Sequence, residues 1–331
     1  MNARPLSDRK AVILGGTGHI GSAIARRFHE GGYQVLATGY RDIARPNLDD
    51  LPITVARGDD ADPAQLAQWC AGAEVVVDSG TPYPVWMFDS AARDTTAAAV
   101  KRARAIAEAV WQVGAHFILI SSFTTLPRRE GAMAAIRRGA LEGSHPYFDL
   151  KAQVEQVARA HIHAGHRGAI LAPSTVFGPY DLKPCAQTFI PMLLSGKVPI
   201  LAKQEMNLVD VRDVAEVAFA AVYVNSDTPI PVFGHSQSLK ALSQTICAIG
   251  GVAPPKMAMP SPLGAAGLHV VETAFAAAGK KTPWPSLAVL LLAASYAAAP
   301  SEPQRKLYPA LRPLDETLRD AVDWYRRIGH L

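Results

Sequence analysis

Tyr147 stands four residues before Lys151 in GSHPYFDLKAQVEQ, residues 143–156. On a helix, positions i and i+4 share a face, so a phenol and an ammonium would lie side by side. A phenol with a pKa near 10 exchanges protons poorly at neutral pH. A neighbouring cation, joined by the positive ring of an oxidised nicotinamide, stabilises the phenolate and brings it toward the working range. Such a pair also arises on ordinary helices, and its weight comes from two other stretches. HFILISSFTT reads as a buried strand ending in Ser121 and Ser122, where a hydroxyl either holds a carbonyl oxygen beside the tyrosine or caps the strand end. GGTGHIG places Gly15, Gly18 and Gly21 at three-residue intervals, the pattern of a tight strand-to-helix turn whose amides approach a pyrophosphate.

These residues need a scaffold, and hydrophobic periodicity supplies one. AVILGG (11–16) reads as a strand, SAIARRFHEGG as a helix and YQVLATG as a second strand. The alternation continues through AEVVVDSG (73–80), an Ala-rich helix over 94–115, the strand 116–122, a helix opening near Pro146, and RGAILAPSTVFGP (167–179). A proline is best tolerated in the first helical turn, which agrees with a start at Pro146. Alternating helices and continuous apolar strands predict an α/β fold with a parallel sheet covered on both faces. Beyond Gly178 prolines become frequent and regularity falls. The expected division is a dinucleotide-binding domain over 1–178, to which 204–224 returns, and a smaller, mostly helical substrate lobe over 179–203 and 225–331.

The end of the second strand discriminates between cofactors, because a carboxylate there accepts from ribose hydroxyls and repels a 2′-phosphate. Gly39 occupies that place, and Arg41 and Arg45 follow. Guanidinium groups bind phosphate bidentately, which favours NADP(H), with NAD(H) as the alternative; solvated loop charges next to Asp42 are the plainer reading. After the third strand, Asp59 or Asp60 can accept from an adenine amino group or cap the next helix.

With 331 residues, 49% of them apolar, the chain can bury a full core. The net charge of +4 arises from 33 basic and 29 acidic residues without a long basic tract, so nucleic-acid binding is not expected. Three widely spaced cysteines, Cys70, Cys185 and Cys247, form neither a disulfide framework nor a zinc motif; no metal site is expected, and a reducing cytoplasm fits. MNARPLSDRK does not read as a signal peptide. SLAVLLLAASYAAA (286–299) is apolar but shorter than the roughly 20 residues of a membrane span, and is expected to be a buried or interfacial helix.

Together, GGTGHIG, GDDADPAQL, the serine ending FILISS, PYFDLKAQVE, LAPSTVFGPYD, LVDVRDVAEV and the closing RPLDETLRDAVDWYRRIGHL resemble the extended short-chain dehydrogenase/reductase family, also called the NAD-dependent epimerase/dehydratase family. The closing segment is similar to its dihydroflavonol-reductase-like and hydroxysteroid-dehydrogenase-like branches. The resemblance implies a Rossmann-type, doubly wound sheet and a homodimer. It makes Ser122 the carbonyl-orienting serine, Tyr147 the general acid/base, and Lys151 the residue that binds the nicotinamide ribose and tunes the tyrosine. The cofactor site it implies comprises Gly15, Thr17, Gly18, His19, Ile20 and Gly21 in the loop, then Gly39, Tyr40, Arg41 and Arg45, then Asp59, Asp60, Ser79 and Gly80, and finally Lys151, Pro173, Ser174 and Val176.

Within the family, sugar-nucleotide dehydratases carry Asp-Glu just after the serine; here Phe123-Thr124 stands there. Nucleotide-sugar epimerases usually carry an arginine that grips the diphosphate, where this chain has Met206. These departures favour an oxidoreductase acting on a ketone, aldehyde or alcohol of a fairly apolar small molecule. A sugar or nucleotide-sugar epimerase and a non-catalytic dinucleotide-binding regulator are the alternatives. Tyr83, Trp86, Phe123 and Thr124, with Met87 and Phe88, are candidates to line the substrate pocket or to pack under a loop. The segment Thr124 to His145 either covers the substrate or is a charged surface excursion.

Overall fold

A computed structural model of the chain describes residues 9–39, 46–88, 90–126, 145–182, 189–282, 284–287, 290–291, 300–308 and 310–331. The expectations for Tyr40, Arg41 and Arg45, and for most of the segment between Thr124 and His145, fall outside the described residues.

The amino-terminal half alternates as its periodicity predicts. The order is β1 (Lys10–Leu14), α1 (His19–Glu30), β2 (Gln34–Gly39), β3 (Thr54–Arg57), α2 (Pro63–Cys70), β4 (Ala73–Asp78), α3 (Ala92–Val113), β5 (His116–Ile120), α4 (Pro146–His163), β6 (Gly168–Pro173) and β7 (Thr175–Phe177). There follow α5 (Phe189–Leu194), β8 (Ile200–Lys203), β9 (Glu205–Asp210), α6 (Val211–Ala220), β10 (Ser226–Val232), β11 (His235–Ser238), α7 (Leu239–Gly250), β12 (Met257–Pro260), α8 (Ser261–Ala277), α9 (Glu302–Leu307) and α10 (Leu314–Arg327).

Seven strands pair in the order β10-β6-β5-β4-β1-β2-β3, all parallel. Successive residues point to opposite faces of a strand, and both faces are apolar here. Ala11, Ile13, Val75, Val77 and Ile118 pack with Ile24 and Phe28 of α1 and Val214 and Val217 of α6. Val12, Leu14, Val76, Phe117 and Leu119 pack with Leu66 of α2, Ile106 and Val110 of α3, and Leu150 and Val154 of α4. This two-sided burial is why the strands read as continuous apolar runs rather than alternating ones. The strand order reverses between β1 and β4, so the loops leaving their carboxyl ends diverge and open a crevice.

The segment expected to rejoin this sheet does so only in part. Residues 204–224 supply β9 to a separate three-stranded sheet, β11-β9-β7, and α6 to one face of the main sheet. The strand that joins the main sheet is β10, within the region expected for the lobe. Its sequence SDTPIPV carries Pro229 and Pro231, which argue against a central strand. At the edge, where β10 lies, the missing N–H groups are tolerated. A third core joins Ile190, Leu193, Leu242, Ile246, Leu318, Val322 and Tyr325 of α5, α7 and α10 to Phe177 of β7 and to Met206 and Leu208 of β9.

His116 opens β5 and is buried. Burial, with the Arg167 charge adding to it, pushes its imidazole down to about 4. The folded protein therefore takes up this proton less readily than the unfolded chain. The stability involved is complete above the unfolded pKa near 6.5 and is lost as pH falls toward about 4. His116→Gln should reduce the fall in urea midpoint between pH 6.5 and 4; an unchanged slope would show that His116 does not govern it.

Candidate active site

The glycine loop is held by contacts that exclude side chains. Gly15 has φ +73°, and a Cβ there would lie 2.4 Å from Cα of Gly80. A Cβ on Gly21 would meet the Gly15 carbonyl oxygen at 2.2 Å and Ser79 Oγ at 2.6 Å. Gly18 caps α1 without a side-chain acceptor, so the leading amides from His19 to Gly21 and the positive end of the helix face the crevice edge. The hydroxyl of Ser174, just past β6, is buried without a hydrogen-bond partner among the described residues. A cradle that any Cβ would fill, an uncapped helix start and an unpaired buried hydroxyl fit a dinucleotide.

Two neighbours refine the cofactor expectation. A Cβ at Gly39 would approach Thr17 Oγ1 to 2.4 Å, so a side chain there would have to displace that of Thr17 in the glycine loop. Both oxygens of Asp60 accept from Arg102, at 2.7 and 2.6 Å. Asp59 is exposed, and one of its oxygens accepts from the Ala61 amide at 2.9 Å. Pro173 ends β6, and Val176 lies in β7, paired with Val209 of β9.

His145 caps the tyrosine helix. Its Nδ1 accepts the Tyr147 amide at 3.2 Å, and Pro146 occupies the first turn. Burial lowers the imidazole pKa, opposed by the charge of Glu272. The neutral ring accepting at Nδ1 carries its proton on Nε2. Tyr147 is buried, and its hydroxyl donates to Ser122 Oγ at 3.3 Å. Ser122 Oγ also lies 2.9 Å from Thr124 Oγ1 and accepts the Thr124 amide at 3.3 Å. Ser121 differs: its hydroxyl donates to buried Glu155 at 2.5 Å, and Thr125 donates to the same oxygen. Glu155 thereby ties the turn after β5 to α4 and sets the distance between Ser122 and Tyr147. The rings of Tyr83 and Tyr147 meet edge to face at 5.2 Å, and Lys151 Nζ stands 5.9 Å from the Tyr83 centroid.

Beside this centre, Tyr147 and Phe148 form an apolar cluster with Leu287 and Leu290, joined by Tyr83, Met87 and Leu291. Phe123 does not belong to it. Its ring is buried with Leu126, Ala172 and Phe233, because the turn after β5 directs it under the chain. The Trp86 indole donates to the Thr282 carbonyl at 3.0 Å, and Lys281 lies 4.4 Å from its ring centroid, so this residue fastens the 81–88 segment to the lobe. Glu272 completes the fastening by accepting from the amides of Met87 at 2.7 Å and Ser286 at 2.9 Å.

Sequence reasoning missed His145, Arg102, Asn47 and Glu272. Asn47 donates to the carbonyls of Thr17 at 3.2 Å and Tyr180 at 3.0 Å, clamping the glycine loop to Tyr180, the one non-glycine among the described residues with a left-handed φ, +75°. Only His145 left a local signal, as a potential cap before proline; the partners of the others are distant in sequence.

The sequence profile of the NAD-dependent epimerase/dehydratase family matches residues 11–230. A protein of Synechocystis sp. carrying the name dihydroflavonol 4-reductase is 28% identical over 336 residues, covering 96% of this chain and 95% of that protein. A ceramide reductase of Caulobacter vibrioides is 28% identical over 197 residues, covering 59% of this chain and 54% of the reductase. The crystal structure of gox2253 superposes with a TM-score of 0.78 at 25% identity, covering 98% of this chain and 99% of gox2253.

Arg102 also bridges to Asp78, the last residue of β4, at 2.9 Å from each of two nitrogens. Asp78 and Arg102 are both buried, and removing one partner of such a pair typically costs about 3–5 kcal/mol. Arg102→Met should lower unfolding stability by about that amount in urea titration; a loss below about 1 kcal/mol would mean that the bridge contributes no more than a surface pair.

Proposed function

The chain belongs to the NAD-dependent epimerase/dehydratase family, and on that footing we propose that it is an NADP(H)-dependent oxidoreductase that reduces a ketone or aldehyde on a fairly apolar small molecule, or oxidises the corresponding alcohol. The observation that carries this reading is the Tyr147 hydroxyl 3.3 Å from Ser122 Oγ, at the carboxyl edge of the sheet and against the apolar cluster of Phe148, Leu287 and Leu290. Bound nicotinamide would supply or accept the hydride. Ser122 donates its proton toward the carbonyl oxygen and orients it. Tyr147 delivers a proton to that oxygen as negative charge develops. Lys151 lies one turn along the same face and stabilises the phenolate left behind. The glycine turn, the α1 amides and Ser174 hold the dinucleotide; Arg41 and Arg45, with no carboxylate at position 39, favour the 2′-phosphate.

Tyr147→Phe should reduce turnover by at least about 100-fold, the scale of a lost general acid, while NADPH titration by fluorescence stays close to wild type. Retained turnover would remove Tyr147 from the chemistry. The same titration with NADH tests the cofactor preference. The family name keeps a sugar epimerase with tightly held NAD as the second reading, and NAD released on denaturing the purified protein would favour it. Against it stands Met206, which is buried in the third core and cannot grip a diphosphate.

A homodimer through α3 and α4 is part of the same proposal. An open groove of about 300 Å³ between them is lined by Trp111, Val157, His161 and His166, and Trp111 is 53% exposed. Apolar area of this kind marks an interface. The buried free thiols of Cys70 and Cys247 agree with a reducing compartment such as the cytoplasm. Trp111→Glu should convert a dimer to a monomer in light scattering; an unchanged mass would move the interface elsewhere.

A further inference from the structure

Helix α8 is SPLGAAGLHVVETAFAA, with apolar residues around most of its circumference. Such a composition ordinarily places a helix inside a core, yet Leu263 and Val270 are 64% and 67% exposed. Ala266, Gly267, Ala274 and Ala277 continue the exposed strip, and Met257 and Ala258 of β12 extend it at one end. Contiguous apolar surface of this kind marks a place of contact.

The charge along this stretch of chain has one sign. From Ala241 to Ser301 the sequence contains a single carboxylate, Glu272, which is buried and occupied by two backbone amides. Lys256 before β12 and Lys280 beyond α8 are both exposed. A second copy of this chain is a poor occupant, because a two-fold interface pairs a patch with itself. An antiparallel meeting of α8 with its mate brings Lys256 toward Lys280, and a parallel one sets each lysine near its own counterpart. Neither arrangement has an exposed carboxylate on the patch to offset the repulsion. An anionic lipid surface satisfies both features, taking apolar side chains among its acyl chains and lysines among its headgroups. Trp284, which also lies exposed in this segment and donates from its indole to the Lys197 carbonyl, is the residue type favoured at such a boundary. Among the described residues no helix is long and apolar enough to cross a membrane.

We propose that the outer face of α8, together with β12, docks on the headgroup region of an anionic bilayer and lies on it without crossing. The use of this contact rests on the reading of an apolar substrate. Glu272 of the same helix holds Met87 and Ser286, and Leu287, next to Ser286, packs with Tyr147. The element that meets lipid is thus fastened to the wall of the reacting centre, a short path for a molecule leaving a leaflet.

The test is co-sedimentation of the full chain with phosphatidylcholine vesicles containing phosphatidylglycerol, against phosphatidylcholine alone, at low and high salt. Binding to the anionic vesicles that falls with salt is expected. Lys256→Gln and Lys280→Gln should each weaken it roughly fivefold. Leu263→Asp combined with Val270→Asp should abolish it, with turnover of a water-soluble carbonyl unchanged. The proposal is overturned if anionic vesicles do not sediment the protein, or if the double variant binds them as the parent does. It is equally overturned if that variant turns a dimer into a monomer and the parent ignores vesicles, since a second copy then covers the strip. Turnover without vesicle binding removes the docking surface alone; vesicle binding without turnover removes the reductase reading alone.

Discussion

The structure depends on one close approach, in which the backbone after β1 touches the backbone after β4. Gly15 and Gly80 meet where no side chain fits, and Gly21 closes on Gly15 from the first turn of α1. The strand order reverses at this place, so the crevice and its lining arise from the same constraint. Arg102 secures it from below. Its guanidinium joins Asp78 at the end of β4 to Asp60 beyond β3, and a Cβ on Gly80 would come within 3.1 Å of it. Removing one member of this group leaves a buried charge uncompensated, so the end of β4 and the turn beyond β3 are held together.

Across the crevice, Ser122 and Tyr147 are positioned by a second set of buried polar groups. Glu155 pulls the turn after β5 onto α4, His145 starts α4 at the correct residue, and the Ser122–Tyr147 pair follows from those two restraints. Glu272 lies in neither element but fastens the 81–88 segment and the start of the 286–291 segment to the lobe. The site therefore consists of two hydrogen-bonded parts joined by a wall that Glu272 holds in place.

The alternation of strands and helices was legible because each strand is buried on both faces and each helix on one, so the periods appear directly in the sequence. Tyr147 and Lys151 were legible as a pair because a helix fixes their spacing. Ser122 could be separated from Ser121 only by resemblance until Glu155, more than thirty residues away, was seen to take the Ser121 hydroxyl. β10 was hidden by Pro229 and Pro231, whose tolerance depends on an edge position that no local pattern reveals. Where the rings of Phe123 and Trp86 pack was not legible, since burial of an aromatic ring depends on what the chain later lays over it.

Sequence alone determined the fold class, the glycine turn, and the helix that carries a phenol beside an ammonium. These follow from local periodicity, backbone sterics and i, i+4 spacing, which act over a few residues. Tertiary structure decided which serine faces Tyr147, that Asp60 is held by Arg102, which strand closes the sheet edge, and that α8 keeps an apolar face outward. Each of these turns on contacts between segments remote along the chain, where burial and pairing depend on the partner that folding brings.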